Sequence, residues 1–174
     1  MTAGLTRVRS MVQDDAHIFC TFDQIEQEIR SFLEMLNEAY AALDFHDYRL
    51  ELSLRPEKRV GDEAMWDKAE AILTQLLDNS GLEYTAESGE GAFYGPKIDI
   101  FIPDALGRDW QLGTVQLDFS LPERFDLEYA AEDGTRQRPV VVHRAMYGTL
   151  ERFLGVLIEH LAGAFPLWLA PVQA

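Results

Sequence analysis

Apolar residues recur at steps of three and four in three parts of the chain, a spacing that predicts helices with one buried face. The first helix should begin after Thr21, because Thr21 and Gln24 have the spacing of a capping box. A second helix should cover residues 62–79 and a third residues 148–162. The apolar positions in chain order are Ile25, Ile29, Phe32, Leu33, Leu36, Tyr40 and Leu43; Met65, Ala69, Ile72, Leu73, Leu76 and Leu77; and Leu150, Phe153, Leu154, Leu157 and Leu161.

Between and after these helices, apolar and polar residues alternate with the period of half-buried strands. Residues 48–54, 97–103 and 110–119 show this alternation, and residues 138–144 indicate a buried strand. The dipeptide Asp133-Gly134 is typical of the tip of a hairpin. No repeat or linker divides the chain, so the pattern predicts one α+β domain with an antiparallel sheet and flanking helices.

Residues 7–20, RVRSMVQDDAHIFC, have strand character but carry many polar side chains. On a strand, alternate residues face opposite sides, so one face would present cations, an amide, a carboxylate and an imidazole. The segment is therefore either the floor of a substrate site or an edge strand with a solvated face. The first face holds Arg7, Arg9, Met11, Gln13, Asp15 and His17, and the second holds Val8, Ser10, Val12, Asp14, Ala16, Ile18 and Cys20.

Composition narrows the class of protein. The 174 residues suffice for one domain with a substantial core, and 47% of them are hydrophobic. The formal net charge of −15 argues against broad nucleic-acid binding, which depends on a cationic surface. A single cysteine, Cys20, excludes an internal disulfide. No apolar run is long enough to span a membrane and no signal core is visible, so we expect a cytoplasmic protein.

The glycine-rich stretch GEGAFYGPK, residues 89–97, is a second candidate for a ligand site. Its spacing misses the dinucleotide-binding fingerprint by one residue and lacks the end of a phosphate-binding P-loop. Its glycines would let the backbone approach a ligand closely, with Tyr94 and Lys97 pointing into the site. The alternative is a flexible connection between two strands.

A third candidate is HRAMYGTLERF, residues 143–153, in which a strand, a turn at Gly148 and a helix follow one another. Arg152 in the first turns of that helix could present its guanidinium to an anion. It could equally be the partner in a structural ion pair.

His17 and His143 lie on predicted strands and could share a metal ion. A catalytic zinc usually has three protein ligands. Cys20 is three residues from His17 and so falls on the opposite face of a regular strand, whereas Asp15 lies on the same face. The residues alone leave the metal site open.

Five segments of the chain, taken together, resemble one enzyme family. RVRSMVQDDAHIFC is similar to the second half of motif 2 of the class II aminoacyl-tRNA synthetases, and VVVHRAMYGTLERF is similar to motif 3. GEGAFYGPKID, WQLGTVQLDFSLPERFDL and AGAFPLWLAPVQ resemble segments specific to threonyl-tRNA synthetases. The resemblance covers residues 4–173 and implies the α+β fold of a class II synthetase catalytic domain, truncated at its N-terminal side.

The resemblance implies that threonine and ATP form threonyl-adenylate, after which the threonyl group passes to tRNA(Thr). Such a reaction requires positioning and charge neutralisation more than a protein nucleophile. By similarity, Arg7 and Arg152 would hold the ATP phosphates with the help of Mg²⁺. Met11 would lie against adenine and Gln111 on the ATP and ribose side. The residues around threonine would be Gln13, Asp15, Tyr94, Lys97 and Gln116.

The resemblance also implies a zinc ion that binds the amino and hydroxyl groups of threonine. His17 and His143 match two of its three ligands, and the cysteine that supplies the third has no counterpart in this chain. A metal that seeks a hydroxyl would reject valine, which a hydrophobic pocket hardly distinguishes from threonine.

Residues 1–174 are therefore expected to be a partial catalytic domain, without motif 1, the editing domain or the anticodon-binding domain. We expect it to act only within a complete, homodimeric synthetase and to be inactive alone. The alternative is a non-catalytic, synthetase-like protein that binds a nucleotide, an amino acid or a partner.

Overall fold

A six-stranded sheet with the strand order β1-β8-β5-β4-β2-β3 forms the centre of the fold. The computed structural model describes residues 2–173. The strands are β1 (Ala16–Cys20), β2 (Arg49–Ser53), β3 (Tyr84–Glu87), β4 (Lys97–Pro103), β5 (Asp109–Asp118), β6 (Tyr129–Ala130), β7 (Arg136–Gln137) and β8 (Val140–Ala145). The helices are a 3-10 turn (Phe22–Gln24), α1 (Ile25–Ala42), α2 (Glu63–Ser80), α3 (Ser120–Arg124) and α4 (Leu150–His160).

The three long helices lie where the apolar spacing predicts them. The backbone amide of Thr21 donates to Gln24 Oε1 at 2.9 Å, which confirms the capping interaction. The Asp62 carboxylate caps α2 by accepting from the Met65 amide at 2.8 Å, and Gly81 ends that helix with a left-handed φ of +73°. Within residues 2–173, no helix combines the length and the hydropathy required to cross a bilayer.

One face of the sheet is apolar and forms the core with the helices. Ile98, Ile100 and Ile102 of β4 are at most 1% exposed, and burying such a side chain stabilises a fold by about 1.5–3 kcal/mol. They form one cluster with buried residues of neighbouring strands and of α1, α2 and α4, including Leu52, Val115, Leu117, Val142, Ile29, Leu36, Leu73, Leu77, Phe153 and Leu157. In α4, however, Leu150 and Leu154 remain 40% and 44% exposed.

The predicted antiparallel sheet with flanking helices is confirmed except at one edge, where one pair of strands is parallel. β3 pairs with β2 in parallel, and the two strands are joined by the crossover helix α2. The four residues of β3 are intermediate or exposed, so no apolar alternation marks this strand in the sequence. The other pairs of neighbouring strands in the six-stranded sheet are antiparallel, and β6 and β7 form the predicted hairpin around Asp133-Gly134.

The segment 7–20 is a strand only over Ala16–Cys20, which corrects the expectation for residues 7–15. The reason lies in the hydrogen-bond partners of the earlier residues. The Val12 amide donates to the Glu151 carboxylate, and the Val12 carbonyl accepts from the Leu150 amide. These partners from the start of α4 replace a strand ladder. As a result Val12 is 59% exposed and does not contribute to the core.

Asp104, in the turn between β4 and β5, has a buried carboxylate that organises the turn. It accepts from the amides of Leu106 and Arg108, from Arg108 Nε and from Trp110 Nε1, at 2.6–2.9 Å. Burial alone would raise the pKa of Asp104, but the hydrogen bonds from Trp110 and Arg108 outweigh this effect and hold the pKa well below its usual range.

We expect the stability contributed by Asp104 to depend on pH in a defined direction. In the unfolded chain the Asp104 carboxyl has a pKa of about 3.9. Its contribution to the free energy of unfolding is therefore complete above about pH 5 and is lost as the pH falls towards the lower folded-state pKa. The difference in free energy of unfolding between the native chain and Asp104→Asn should be constant from pH 5 to 7 and shrink below about pH 4. Denaturant titrations at each pH measure it. A difference that grows on acidification would contradict the assignment.

Candidate active site

The second face of the sheet carries a row of polar side chains across four neighbouring strands. The backbone register pairs Lys97 of β4 with Gln116 of β5, Gln116 with His143 of β8, and His143 with His17 of β1. Paired residues in a sheet point to the same face, so these four side chains form one row. The row brings together two predicted threonine-binding residues and both predicted metal ligands.

The two histidines at one end of the row are in direct contact. The ring centroids of His17 and His143 are 4.5 Å apart, with the rings edge to face. His143 Nε2 lies 2.9 Å from Oδ2 of the buried Asp118, whose other oxygen accepts from the amides of Ser120 and Leu121. A carboxylate only accepts hydrogen bonds, so His143 Nε2 carries the proton in the neutral ring and Nδ1 keeps a free lone pair.

This arrangement suits a histidine that binds a metal, because metal-binding histidines usually donate their other N–H to a carboxylate or carbonyl. The metal ligands that these residues offer are the two imidazoles of His17 and His143. Among the described residues, no group of three or more His, Cys, Asp or Glu side chains is placed to hold a metal ion. Asp15, on the same side as His17, comes within 4.0 Å of His17 Nε2. The residues that the structure describes therefore fit part of a zinc site and not a whole one.

The glycine-rich loop is packed on the sheet beside this row. A Cβ atom on Gly95 would lie 1.7 Å from the carbonyl oxygen of Leu117, so the position requires glycine. The loop thereby places Tyr94 with its ring centroid 5.7 Å from that of His143 and its hydroxyl donating to Gln116 Oε1. Burial raises the pKa of Tyr94, and the negative charges of Asp118 and Asp15 raise it further.

Asp99 is a site residue that the sequence analysis missed. It is 2% exposed and sits on the polar face between Ile98 and Ile100, whose side chains enter the core. One carboxylate oxygen accepts from Lys97 Nζ and Ser53 Oγ, and the other accepts from Gln111 Nε2 and Thr114 Oγ1. Its place in the KIDIFIP alternation was the available signal, because an aspartate between two core isoleucines must point to the opposite face. Asp118 was missed in the same way.

A β-bulge brings Gln111 to this face. The β4–β5 register pairs Ile100 with Gly113 but Phe101 with Gln111, which leaves Leu112 as the extra residue. Without the bulge, Gln111 would pair with Ile102 and point towards the core. The bulge instead places Gln111 Nε2 2.6 Å from Asp99 Oδ1.

Arg152 of α4 lies beside Gln111, near the start of β5. Its Nε donates to the Thr6 carbonyl at 3.0 Å and its Nη1 to the Gln111 carbonyl at 3.2 Å. The guanidinium carbon is 5.8 Å from the centre of the Trp110 ring. Arg152 forms no ion pair with a carboxylate within residues 2–173, so the structural ion-pair alternative is not supported.

The other predicted residues lie along the segment that leads into β1. Arg7 closes a turn through backbone hydrogen bonds with Ala3, and Met11 is 51% exposed. Gln13 forms an isolated backbone bridge with Thr149. The Asp14 carboxylate accepts from the amides of Met146 and Tyr147 and fixes this segment to the turn before α4. The structure thus places Arg7, Met11 and Gln13 on the segment that precedes β1 rather than on a strand of the sheet.

Comparison with known proteins matches this architecture to one family. The family model described as "tRNA synthetase class II core domain (G, H, P, S and T)" matches residues 1–161. A threonine–tRNA ligase of Nitrosococcus oceani is 61% identical over 170 residues, 98% of this chain and 26% of that protein. The corresponding protein of Alkalilimnicola ehrlichii is 58% identical over 171 residues, again 98% of this chain and 27% of that protein. The chain thus spans about a quarter of these relatives.

A solved structure agrees with the sequence relatives. The threonyl-tRNA synthetase of Cryptosporidium parvum Iowa II, in a crystal structure of its RNA binding domain, superposes with a TM-score of 0.92 at 48% identity. The superposition covers 97% of this chain and 42% of that chain. The chain therefore belongs to the family of class II tRNA synthetase core domains, and its close relatives in that family are threonine–tRNA ligases.

Proposed function

We propose that this chain supplies the greater part of a threonine- and ATP-binding surface that catalyses the formation of threonyl-adenylate in a complete threonine–tRNA ligase. One observation carries the proposal: a single polar face holds His17, His143, Gln116 and Lys97 in one row, with Gln111 and Arg152 at its side. The names of the relatives give the substrate class, and this row gives a place where the substrates would meet.

The threonine side of the proposed site is the part near β1 and β8. Asp15 and Gln13 would bind polar groups of the amino acid, while Tyr94 and Gln116 would line the pocket from the glycine-rich loop and β5. His17 and His143 would hold zinc together with a third ligand from outside this chain. When bound, zinc supplies a centre that takes the amino and hydroxyl groups of threonine, which valine cannot match.

The ATP side is the part near Gln111 and α4. Arg7 and Arg152 would neutralise phosphate charge, with Mg²⁺ bound together with ATP. Gln111 would face the ribose and Met11 the adenine. The thioether of Met11 is polarizable and can pack on a base, and its 51% exposure leaves room for that contact.

The residues on both sides would act by position and charge. Threonine attacks the α-phosphorus through a carboxylate oxygen and pyrophosphate leaves, so this step needs no proton transfer. Arg7 and Arg152 would offset the negative charge that gathers around the phosphorus, while Lys97 would lie with the residues around threonine. Holding both substrates on one rigid sheet converts a bimolecular encounter into an oriented one.

The remaining parts of the activity would come from outside these residues. Transfer of the threonyl group would take place at this same site once other domains hold tRNA(Thr), and editing and anticodon recognition would belong to those domains. The chain's net charge of −15 argues that tRNA is bound mostly elsewhere. We propose that residues 1–174 form the partial catalytic domain of a homodimeric ligase.

The experiment that tests the proposed function is a chimera. Residues 2–173 replace the matching 170-residue segment of the Nitrosococcus oceani ligase, and threonine-dependent ATP–pyrophosphate exchange is measured. We expect exchange. In the chimera, Asp15→Ala should raise the KM for threonine about tenfold or more while the KM for ATP changes less than about twofold, because Asp15 lies on the threonine side.

A matched control for this prediction is Asp23→Ala, which removes an aspartate from the 3-10 turn just beyond β1. It should leave both KM values unchanged. A correctly folded chimera without exchange would contradict the proposed function. Equal increases in both KM values for Asp15→Ala would instead contradict only the role given to Asp15.

The proposed zinc site predicts how much zinc each protein retains. After dialysis against zinc-free buffer, the chimera should retain one zinc per chain, because the relative's segments supply the third ligand. The isolated 174-residue chain should retain far less than one zinc. In the chimera, His143→Asn should lower zinc retention, whereas His46→Asn, which changes an exposed histidine outside the site, should not.

Elemental analysis by mass spectrometry measures the metal content in all four proteins. One tightly held zinc in the isolated chain would show that its own residues complete the site. Equal retention by the His143→Asn chimera and its parent would remove His143 from the proposed ligands.

A further inference from the structure

We propose that Asp99 is a positioning residue that fixes the direction of a hydrogen-bond network linking the ATP side of the site to the threonine side. The inference rests on the proposed function and extends it to a residue that would not touch either substrate. Asp99 is buried at 2% exposure and contacts four side chains from three strands, β2, β4 and β5.

A carboxylate can only accept hydrogen bonds, so each group around Asp99 must donate to it. Lys97 Nζ and Ser53 Oγ donate to Oδ2, the latter at 3.0 Å. Gln111 Nε2 donates to Oδ1 at 2.6 Å and Thr114 Oγ1 donates to the same oxygen at 3.3 Å. The ammonium of Lys97 compensates for the charge of Asp99, which would otherwise be costly to bury.

The first consequence concerns Gln111 on the ATP side. Because its amide nitrogen is used by Asp99, its Oε1 is turned away from Asp99 and can accept a hydrogen bond from a ligand. Gln111 is exposed, so this oxygen has access to the face where ATP would bind. Asp99 therefore decides which end of the Gln111 amide the site presents.

The second consequence passes through Thr114 to the threonine side. Thr114 uses its proton on Asp99, so its oxygen accepts from Gln116 Nε2 at 3.3 Å. The Gln116 amide is thereby oriented with Oε1 towards Tyr94, whose hydroxyl donates to it. The Tyr94 proton is used inside the network, and the Tyr94 oxygen remains free to accept from a donor group of the amino acid.

Replacing Asp99 by Asn should reverse this direction. Lys97 cannot accept a hydrogen bond, so the new amide must turn its oxygen to Lys97 and its nitrogen to Gln111 and Thr114. The amides of Gln111 and Gln116 then have to turn over in response. Tyr94 becomes an acceptor within the network and directs its proton at the amino-acid pocket, where a donor is already expected.

The experiment uses the chimera described above and measures ATP–pyrophosphate exchange with both substrates varied. Asp99→Asn should raise the KM for threonine about tenfold or more and also raise the KM for ATP. Thr114→Val cuts only the branch that leads to Gln116 and Tyr94. It should therefore raise the KM for threonine and leave the KM for ATP within about twofold of the parent value.

A double-mutant cycle separates positioning from loss of stability. No hydrogen bond joins Asp99 directly to Tyr94, so their effects on kcat/KM for threonine should multiply unless the network couples them. We expect Asp99→Asn combined with Tyr94→Phe to lose at least about fivefold less than the product of the two single losses. The matched control is Asp104→Asn, a buried carboxylate in the β4–β5 turn, whose loss should multiply with that of Tyr94→Phe.

Each outcome decides the inference. Multiplicative losses for Asp99→Asn and Tyr94→Phe, or a lowered melting temperature with unchanged KM values, would overturn the positioning role while leaving the proposed function intact. If Asp99→Asn does not fold, Thr114→Val with Tyr94→Phe provides the same cycle. A folded parent chimera without exchange would overturn the proposed function, and this inference with it.

Discussion

The alternation of side chains along the strands is the constraint on which the rest of the structure depends. Ile98, Ile100 and Ile102 must be buried beneath the helices, so Lys97 and Asp99 must point to the other face. A slip of one residue in register would exchange the two faces, and the buried isoleucines oppose it. The hydrophobic core thus fixes the orientation of polar side chains that it never contacts.

Two buried carboxylates convert this oriented face into a site with defined hydrogen-bond directions. Asp99 holds Lys97 and Gln111, and Asp118 holds His143 while accepting from two backbone amides at the start of α3. Each carboxylate is costly to bury and is compensated only when its partners all donate. The same requirement that stabilises each group would therefore determine which atoms the proposed site presents to a ligand.

The sequence predicted those features that have a strong local or periodic signal. The capping residue Thr21, the helices and the alternating strand β4 are where the pattern places them. β3 could not be found, because only Tyr84 packs against the core and the other three residues are exposed. Residues 7–15 do not form the predicted strand, because the Val12 amide donates its hydrogen bond to the carboxylate of Glu151, more than 130 positions away.

The candidate site likewise contains residues that the sequence identified and residues that it did not. The resemblance to the family pointed to His17, His143, Tyr94, Lys97 and Gln116, and the strand register brings these residues together. Asp99 and Asp118 lie within segments that resemble the family, and strand alternation places Asp99 on the polar face, but only the contacts between strands show which side chains they hold. The most direct test of the account is a crystal structure of the chimera with a non-hydrolysable threonyl-adenylate analogue. We predict the threonyl group beside Asp15 and His143 and the adenosine beside Gln111 and Arg152, whereas an analogue bound away from this polar face would contradict the account.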